Sequence, residues 1–366
     1  MKKNVLFGMM ALAMGAMTAC SVEEVVDQAE TNYIGFDPFA NKVSRAITHA
    51  QGLGHSNFSV FGRYDNGNSS YIEVFKNQKV EWSKPDDLDA TEGSWTYTPL
   101  VPWVSGKNYV FAAIAPYNAS YTTAYNYTND KYTLGNITLD ATFTDGKYTN
   151  QIDYMTADKV EQNSGTSTSA VSFTFNHIAS KIDFNFQPKT TSQNETHWES
   201  DVKIDIKKIE LSGLVTKKAY TNGQWGTASE INRTFSKSLS SNNSTTYDYS
   251  SSESEKVKLL KDQFSWLVVP QSSTDASSRK LSITFDVLIK DAEGEYTMKP
   301  KENATAEVAI NTEWSANAHY TYTVYIGTDV LGQNPYITFD VKEVKGWVTT
   351  NNSHDLDVSP STQQGN

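Results

Sequence analysis

The single cysteine of the sequence, Cys20, is the residue whose position most clearly indicates chemistry. It follows an apolar stretch from Val5 to Met17 and the small residues Thr18 and Ala19. The stretch is shorter than the roughly 18 to 20 apolar residues of a membrane-spanning helix, and two lysines precede it as in a secretory signal. The junction resembles a bacterial lipobox, in which the cysteine thiol receives diacylglycerol. We therefore expect removal of residues 1–19 and acylation of Cys20; an ordinary signal peptide followed by a free cysteine is the alternative.

Acidic residues directly after Cys20 indicate where such a lipoprotein would go. Glu23, Glu24 and Asp27 resemble the export signal that carries some lipoproteins to the outer face of an outer membrane, although a solvated tether has the same composition. Each buried CH₂ of an acyl chain adds about 0.8 kcal/mol of membrane affinity, so a multiply acylated Cys20 would hold the chain on the membrane. The sequence thus predicts an outer-membrane lipoprotein at the cell surface.

Enzymatic chemistry has little support in the sequence. It contains no Gly-x-Ser-x-Gly elbow, Walker loop, His-Glu-x-x-His motif or dinucleotide fingerprint. Carboxylate pairs for glycoside hydrolysis are conceivable among so many acids, but nothing selects one pair. The six histidines lack metal-ligand spacing; they are His49, His55, His177, His197, His319 and His354. We predict no catalytic residue, cofactor or metal, and rank a secreted hydrolase last among the possible functions.

Composition indicates a packed, acidic β protein. The 366 residues include 31 Lys and Arg against 42 Asp and Glu, a net charge of −11, which argues against a nucleic-acid partner because phosphates select basic surfaces. Aromatic residues make up 12% of the chain, with 20 tyrosines, and one cysteine excludes an internal disulfide. At roughly 150 residues per domain, the length favours two domains.

The hydrophobic pattern predicts short strands separated by turns, and therefore an all-β fold. Phe58 to Tyr64 and Tyr71 to Phe75 form a predicted hairpin, and Lys76 to Lys79 a second turn. Tyr109 to Ala115 is apolar throughout, which suits a strand buried on both faces at the centre of a first sandwich. The polar segment Glu161 to Ser169 is the candidate domain boundary, which we place between residues 167 and 168.

Several segments together resemble the fimbrillins, the type V pilins of Gram-negative anaerobes. One block combines Trp103 and Gly106 with the aromatic and alanine-rich run that ends in Pro116 and Tyr117. The other segments with this resemblance are Asp153–Ala157, Phe173–Ile182, Trp314–Asn317 before Tyr320–Gly327, and Ile337–Trp347. Their order, the lipobox and a downstream arginine make the resemblance fairly specific.

The resemblance implies two transthyretin-like β-sandwich domains in tandem, at residues 46–167 and 168–366. It also implies a surface precursor whose residues 20–45 hold a tether and a removable first strand, with Ile34 and Phe36 on one face. An Arg-specific protease would cut between Arg45 and Ala46, and the exposed groove would accept a strand from a neighbouring subunit. The expected partners are therefore other fimbrial subunits and this protease; the sequence identifies no adhesion ligand.

The sequence of the C-terminal tail does not decide which segment would be donated to a neighbouring subunit. After Trp347 the residues are mostly polar, and only Leu356 and Val358 alternate as insertable side chains. Alternatively, part of Tyr336 to Val348 is itself donated, or the tail donates nothing and the protein is a tip or accessory subunit. A surface glycan-binding lipoprotein is the alternative function, with Trp95, Trp198 and Trp225 as candidates for stacking on sugar rings.

Overall fold

The structure, a computed structural model, describes residues 32–40, 57–83, 94–144, 147–149, 151–189, 202–238, 246–247, 265–272, 279–327 and 337–345. Within these ranges the fold is all-β, as predicted, and no helix long and apolar enough to cross a membrane is found there. The predicted sites Cys20, Arg45, Ala46, Leu356 and Val358 lie outside the described residues, and their roles stay predictions.

The N-terminal half of the described chain is built around one large sheet. Its path runs β1-β13-β11-β5-β2-β3-β4, and β12 also pairs with β5. The pairing of β1 with β13 is parallel, whereas the other neighbours in this sheet are antiparallel. Strands β6 to β10 lie outside this sheet. The described strands of the N-terminal half are β1 (Phe36–Ala40), β2 (Phe58–Gly67), β3 (Ser70–Ser83), β4 (Ser94–Thr96), β5 (Asn108–Ala115), β6 (Tyr125–Asn126), β7 (Lys131–Tyr132), β8 (Gly135–Thr138), β9 (Thr142–Thr144), β10 (Lys147–Thr149), β11 (Met155–Ala157), β12 (Val160–Asn163) and β13 (Val171–His177).

Strand β5 lies in the middle of this sheet because both of its faces are apolar. The side chains of Tyr109, Phe111 and Ala113 belong to the core of the N-terminal half. Those of Ala112 and Ile114 point the other way, into a second core. Successive residues of a strand face opposite sides, so a continuous apolar run is what a strand between two cores requires. The predicted central position of this strand is confirmed.

The predicted turn at Lys76 to Lys79 is wrong. These residues belong to the single strand β3, and the ladder with β2 skips from Phe75 opposite Gly62 to Gln78 opposite Val60. Asn77 has a φ of 54° and its side chain donates to the backbone oxygen of Asn118 at 2.9 Å. The polar residues that resemble a turn in the sequence therefore form a β-bulge, which keeps the strand paired while changing its direction.

The C-terminal half consists mainly of two facing sheets. Their orders are β20-β14-β23-β24 and β18-β15-β21-β22, with β19 paired to β15. Between them lies a core that includes Phe184, Trp266, Phe285 and Tyr322. The strands are β14 (Ser180–Lys189), β15 (Val202–Leu214), β16 (Lys217–Thr221), β17 (Gln224–Glu230), β18 (Arg233–Ser238), β19 (Thr246–Tyr247), β20 (Ser265–Val268), β21 (Lys280–Ile289), β22 (Met298–Ala309), β23 (Ala318–Gly327) and β24 (Ile337–Lys345).

A junction core joins the two halves; we define it by the buried side chains of Phe61, Ile114, Tyr132, Tyr220 and Val269. Strand β8 of the N-terminal half pairs here with β16 of the C-terminal half. The last strand of the N-terminal sheet along the chain is β13, and the chain passes to the C-terminal half at residues 178–179. The predicted boundary between residues 167 and 168 lies before β13. The division into two domains stays a prediction.

Candidate functional site

The candidate site is the place occupied by the leading segment, which we define as residues 32–40. On one side, β1 runs parallel to β13, and the Val171 N–H donates to the Gly35 oxygen at 2.8 Å. On the other side, the Ile34 N–H donates to the Val101 oxygen at 2.9 Å and the Trp103 N–H donates to the Asn32 oxygen at 3.0 Å. The leading segment therefore lies in a groove with backbone partners on both walls.

The two side chains predicted for the removable strand fill this groove. Ile34 is 1% exposed and Phe36 is 6% exposed. The Phe36 ring is surrounded by five aromatic rings whose centroids lie between 5.3 and 6.5 Å away: Phe58, Phe75, Tyr97, Phe111 and Phe173. Burying two such side chains contributes about 1.5 to 3 kcal/mol each, and aromatic pairs add about 0.5 to 1.5 kcal/mol beyond the buried area.

Tyr97 adds a polar anchor inside this apolar groove. Its hydroxyl donates to the Ile34 oxygen at 2.7 Å and accepts a hydrogen bond from the Val101 N–H at 3.2 Å. Burial raises the pKa of Tyr97 above its ordinary value of 10.0, which the hydrogen bond from Val101 only partly offsets. The hydroxyl therefore stays protonated and able to donate near neutral pH.

The chemistry available here is recognition of an extended strand. If the leading segment left, the Val171 N–H and the Val101 oxygen would lose their partners beside an apolar trench, and the Tyr97 hydroxyl would lose its acceptor. Unpaired backbone groups next to an apolar surface template the binding of another strand. In the described ranges no group of three His, Cys, Asp or Glu side chains is arranged to hold a metal ion.

The tryptophans proposed for sugar stacking have packing roles instead. Trp95 packs edge-on against Phe58 and Trp82, at 5.0 and 5.3 Å between ring centroids. The Trp225 indole donates to the Ile178 oxygen at 2.8 Å, and its ring packs against Tyr220. Trp198 lies outside the described residues. Neither described tryptophan forms an exposed aromatic platform.

Sequence reasoning missed the groove wall formed by Tyr97, Val101 and Trp103. The segment that contains Val101 and Trp103 carries part of the family resemblance, but its pattern does not show which strand it faces. The available signal is the dense set of aromatic residues at positions 95, 97 and 103, directly before the central strand β5.

Comparison with known proteins gives a consistent family and fold. A family model described as fimbrillin-like matches residues 44–347. A fimbrial protein of Bacteroides vulgatus is 19% identical, with a TM-score of 0.54, and the match covers 86% of this chain and 99% of that one. A candidate cell adhesion protein of Bacteroides ovatus is 17% identical, with a TM-score of 0.51 and coverage of 87% and 99%. No curated protein sequence matches the chain.

Proposed function

The chain belongs to the fimbrillin-like family, and on this premise we propose that it is a structural subunit of a cell-surface fimbria, assembled by strand addition after proteolytic maturation and supporting adhesion. The observation that carries the proposal is the leading segment, which lies between β13 and residues 101–103 with Ile34 and Phe36 buried. A segment that fills an apolar groove and precedes the other described strands is suited to be exchanged for a strand from another subunit.

Maturation would proceed from the lipid anchor to the cut. Acylated Cys20 would hold the precursor at the outer membrane, where the leading segment keeps the groove filled and the precursor monomeric. Cleavage between Arg45 and Ala46 would separate this segment from the rest of the chain. Its dissociation would open the groove to a neighbouring subunit.

The environments of the other arginines support Arg45 as the cleavage site. Arg279 is 1% exposed and stacks on the Trp314 ring at 3.9 Å. Half-buried Arg63 lies over the rings of Tyr71 and Tyr127, at 3.8 and 4.4 Å. A protease must fit its target side chain into a pocket, so these two arginines are poor substrates in the folded protein. Arg233, whose side chain is 58% exposed, remains as the matched control.

The test uses the full chain expressed in a bacterium that makes such fimbriae. Surface material should begin at Ala46, and fibres should not form from the Arg45→Ala variant, whereas Arg233→Ala should be cut and assembled normally. Cys20→Ala should abolish incorporation of a fatty-acid probe. Fibres that form normally from Arg45→Ala, or assembled subunits that still begin at residue 20, would contradict the proposal.

A further inference from the structure

The end of the N-terminal half that points away from the junction core forms a surface of its own, which we call the distal pole. Strand β5 begins at this end and runs toward the junction core, which contains its residue Ile114. Asn163, the last residue of β12, pairs with the first residue of β5. Tyr64 pairs with Tyr109, so the β2–β3 hairpin extends beyond the same end. We define the distal pole by residues 32–33, 65–72, 100–107 and 163–169.

Hydrogen bonds tie the start of the leading segment into the distal pole. The Asn32 oxygen accepts from the Trp103 N–H at 3.0 Å, and the Asn32 side-chain amide donates to the Thr168 hydroxyl at 2.6 Å. The Ser164 hydroxyl donates to the Val104 oxygen at 2.6 Å. The part of the chain that precedes residue 32 is therefore attached to the molecule at this pole.

The distal pole is neutral although the protein is strongly acidic. The whole chain has a net charge of −11, and 20% of its residues are charged. In the four segments of the pole the charged residues are Asp65 and Lys107, whose charges cancel. Anionic groups of a lipid surface repel an acidic protein, and this repulsion is weakest where the protein is neutral. The pole is thus the part of the N-terminal half that can approach a lipid surface most easily.

Exposed apolar side chains are concentrated at the same pole. Of the seven large apolar side chains that are exposed in the described ranges, five belong to it: Tyr33, Tyr71, Ile72, Leu100 and Val104. Leu100 is 52% exposed and Tyr33 is 46% exposed. Single exposed apolar side chains are common on proteins, whereas a group of them marks a surface that contacts another molecule or a membrane.

We infer that the distal pole lies on the membrane to which Cys20 anchors the precursor, with Tyr33, Leu100 and Val104 in the headgroup region. This inference rests on the proposed function, because it needs the lipid anchor. It deepens that function by giving the precursor an orientation, in which the C-terminal half points away from the membrane.

The length of chain before the distal pole favours a lipid surface as its occupant. Eleven residues, 21–31, separate Cys20 from Asn32. At about 3.5 Å per residue, even a fully extended connection spans only about 40 Å. The anchor therefore gives the pole a high effective concentration at the bilayer, so that weak contacts suffice. A tyrosine such as Tyr33 suits the headgroup region, because its ring is apolar and its hydroxyl is polar.

Proteolytic maturation would end this contact. Cleavage between Arg45 and Ala46 would remove Cys20 and Tyr33 together, so the protein would lose its anchor and an apolar contact of the distal pole in one step. The membrane contact is thus a property of the precursor, and the released subunit would be free to leave the surface.

Side-chain footprinting of the anchored precursor tests the orientation. The protein is the full precursor with Arg45→Ala, which keeps the leading segment attached, purified from a bacterium that acylates it and reconstituted in phosphatidylcholine vesicles. The matched control has the same substitution but begins at Ser21, and it is measured with the same vesicles and without them. Hydroxyl radicals label exposed side chains, and mass spectrometry gives the labelled fraction of each. Ile231, 60% exposed and located in the C-terminal half, is the internal control.

We expect the labelling of Tyr33 and Leu100 to be about five-fold lower in the acylated protein, because headgroups would cover side chains that are otherwise about half exposed. Labelling of Ile231 should be the same in both proteins. Leu100→Glu combined with Val104→Glu should restore the labelling of Tyr33, whereas Ile231→Glu should not. All three positions are exposed, so these variants should keep the melting temperature of the parent protein.

The possible results separate the inference from the proposed function. An acylated protein whose distal pole is labelled as strongly as in the control would overturn the inference and leave the lipid anchor standing. Protection of Ile231 in place of the pole would overturn the orientation. A pole that is already protected in the control without vesicles would have a second copy of the chain as its occupant. A precursor that takes up no fatty acid at Cys20 would refute the proposed anchor, and the inference with it.

Discussion

The two halves of the molecule begin with strands that are held very differently. Strand β14 has ten residues, all paired with β23, and four of them also pair with β20. Strand β1 has five residues at the edge of its sheet, paired with β13. Both first strands place an aromatic side chain in the core, Phe184 and Phe36 respectively. Under the proposed function, the halves use the same contact in two ways: Phe184 belongs to permanent structure, and Phe36 to a segment that another strand replaces.

Cleavage after Arg45 should have the largest effect on stability, and this effect should be confined to the N-terminal half. Loss of the leading segment removes Ile34 and Phe36, together worth about 3 to 6 kcal/mol of burial, and frees the backbone groups of β13. Hydrogen exchange measured by mass spectrometry should show faster exchange of β13 amides in cleaved monomers, with β14 and β23 unchanged. Equally faster amide exchange in both halves would show that the two first strands do not differ in this way.

The second largest effect is expected from truncation of the two equivalent aromatic side chains, Phe184 and Phe36. Phe184→Ala and Phe36→Ala should each lower the free energy of unfolding of the precursor by about 3 to 5 kcal/mol. After cleavage, Phe184→Ala should still carry this cost, whereas Phe36→Ala should cost nothing because the residue has left. Denaturant titrations of both variants, cut and uncut, give the four values. A persistent Phe36→Ala effect after cleavage would mean that the segment stays bound.

Alkaline pH should weaken the junction core that both halves share. Burial, with a smaller contribution from the nearby Tyr154, raises the pKa of Tyr121 from 10.0 to about 12. Since the folded chain then holds this proton more tightly than the unfolded chain, stability is complete below pH 10 and falls as the pH rises toward 12, by up to about 3 kcal/mol. Tyr121→Phe should make this part of a stability-against-pH curve less steep, while other buried tyrosines of the same core whose pKa is raised, such as Tyr125 and Tyr132, keep their contribution. An unchanged slope would show that Tyr121 does not contribute.

The smallest expected effect concerns the polar anchor of the groove. Tyr97→Phe removes the hydrogen bond to the Ile34 oxygen and should cost the precursor about 0.5 to 1.5 kcal/mol. Tyr33→Phe, on a ring that is 46% exposed, is the matched control and should change little. Thermal unfolding of uncleaved protein measures both. If the control were as destabilising as Tyr97→Phe, the buried anchor would have no special role.

Local patterns in the sequence predict the strands better than their partners. The apolar run of β5 and the alternating residues of β13 identify both strands, because burial on two faces or one leaves a direct mark on composition. The pattern does not reveal that β13 pairs with β1, more than 130 residues earlier in the chain. The groove wall at Tyr97 and Val101 was missed for the same reason. Alternation of apolar and polar residues shows which face of a strand is buried, but it does not show which strand lies beside it. The Asn77 bulge was missed because bulges and turns use the same polar residues.

The pairing of β8 with β16 gives the molecule a mechanical property. The Gln151 side chain reinforces this junction, donating to the Leu267 oxygen at 3.0 Å and accepting from the Leu267 N–H at 2.6 Å, as another strand would. Bending one half against the other has to break these bonds and open the junction core at the same time. A filament subunit held together in this way would resist bending at the junction, and the filament would flex where one subunit meets the next.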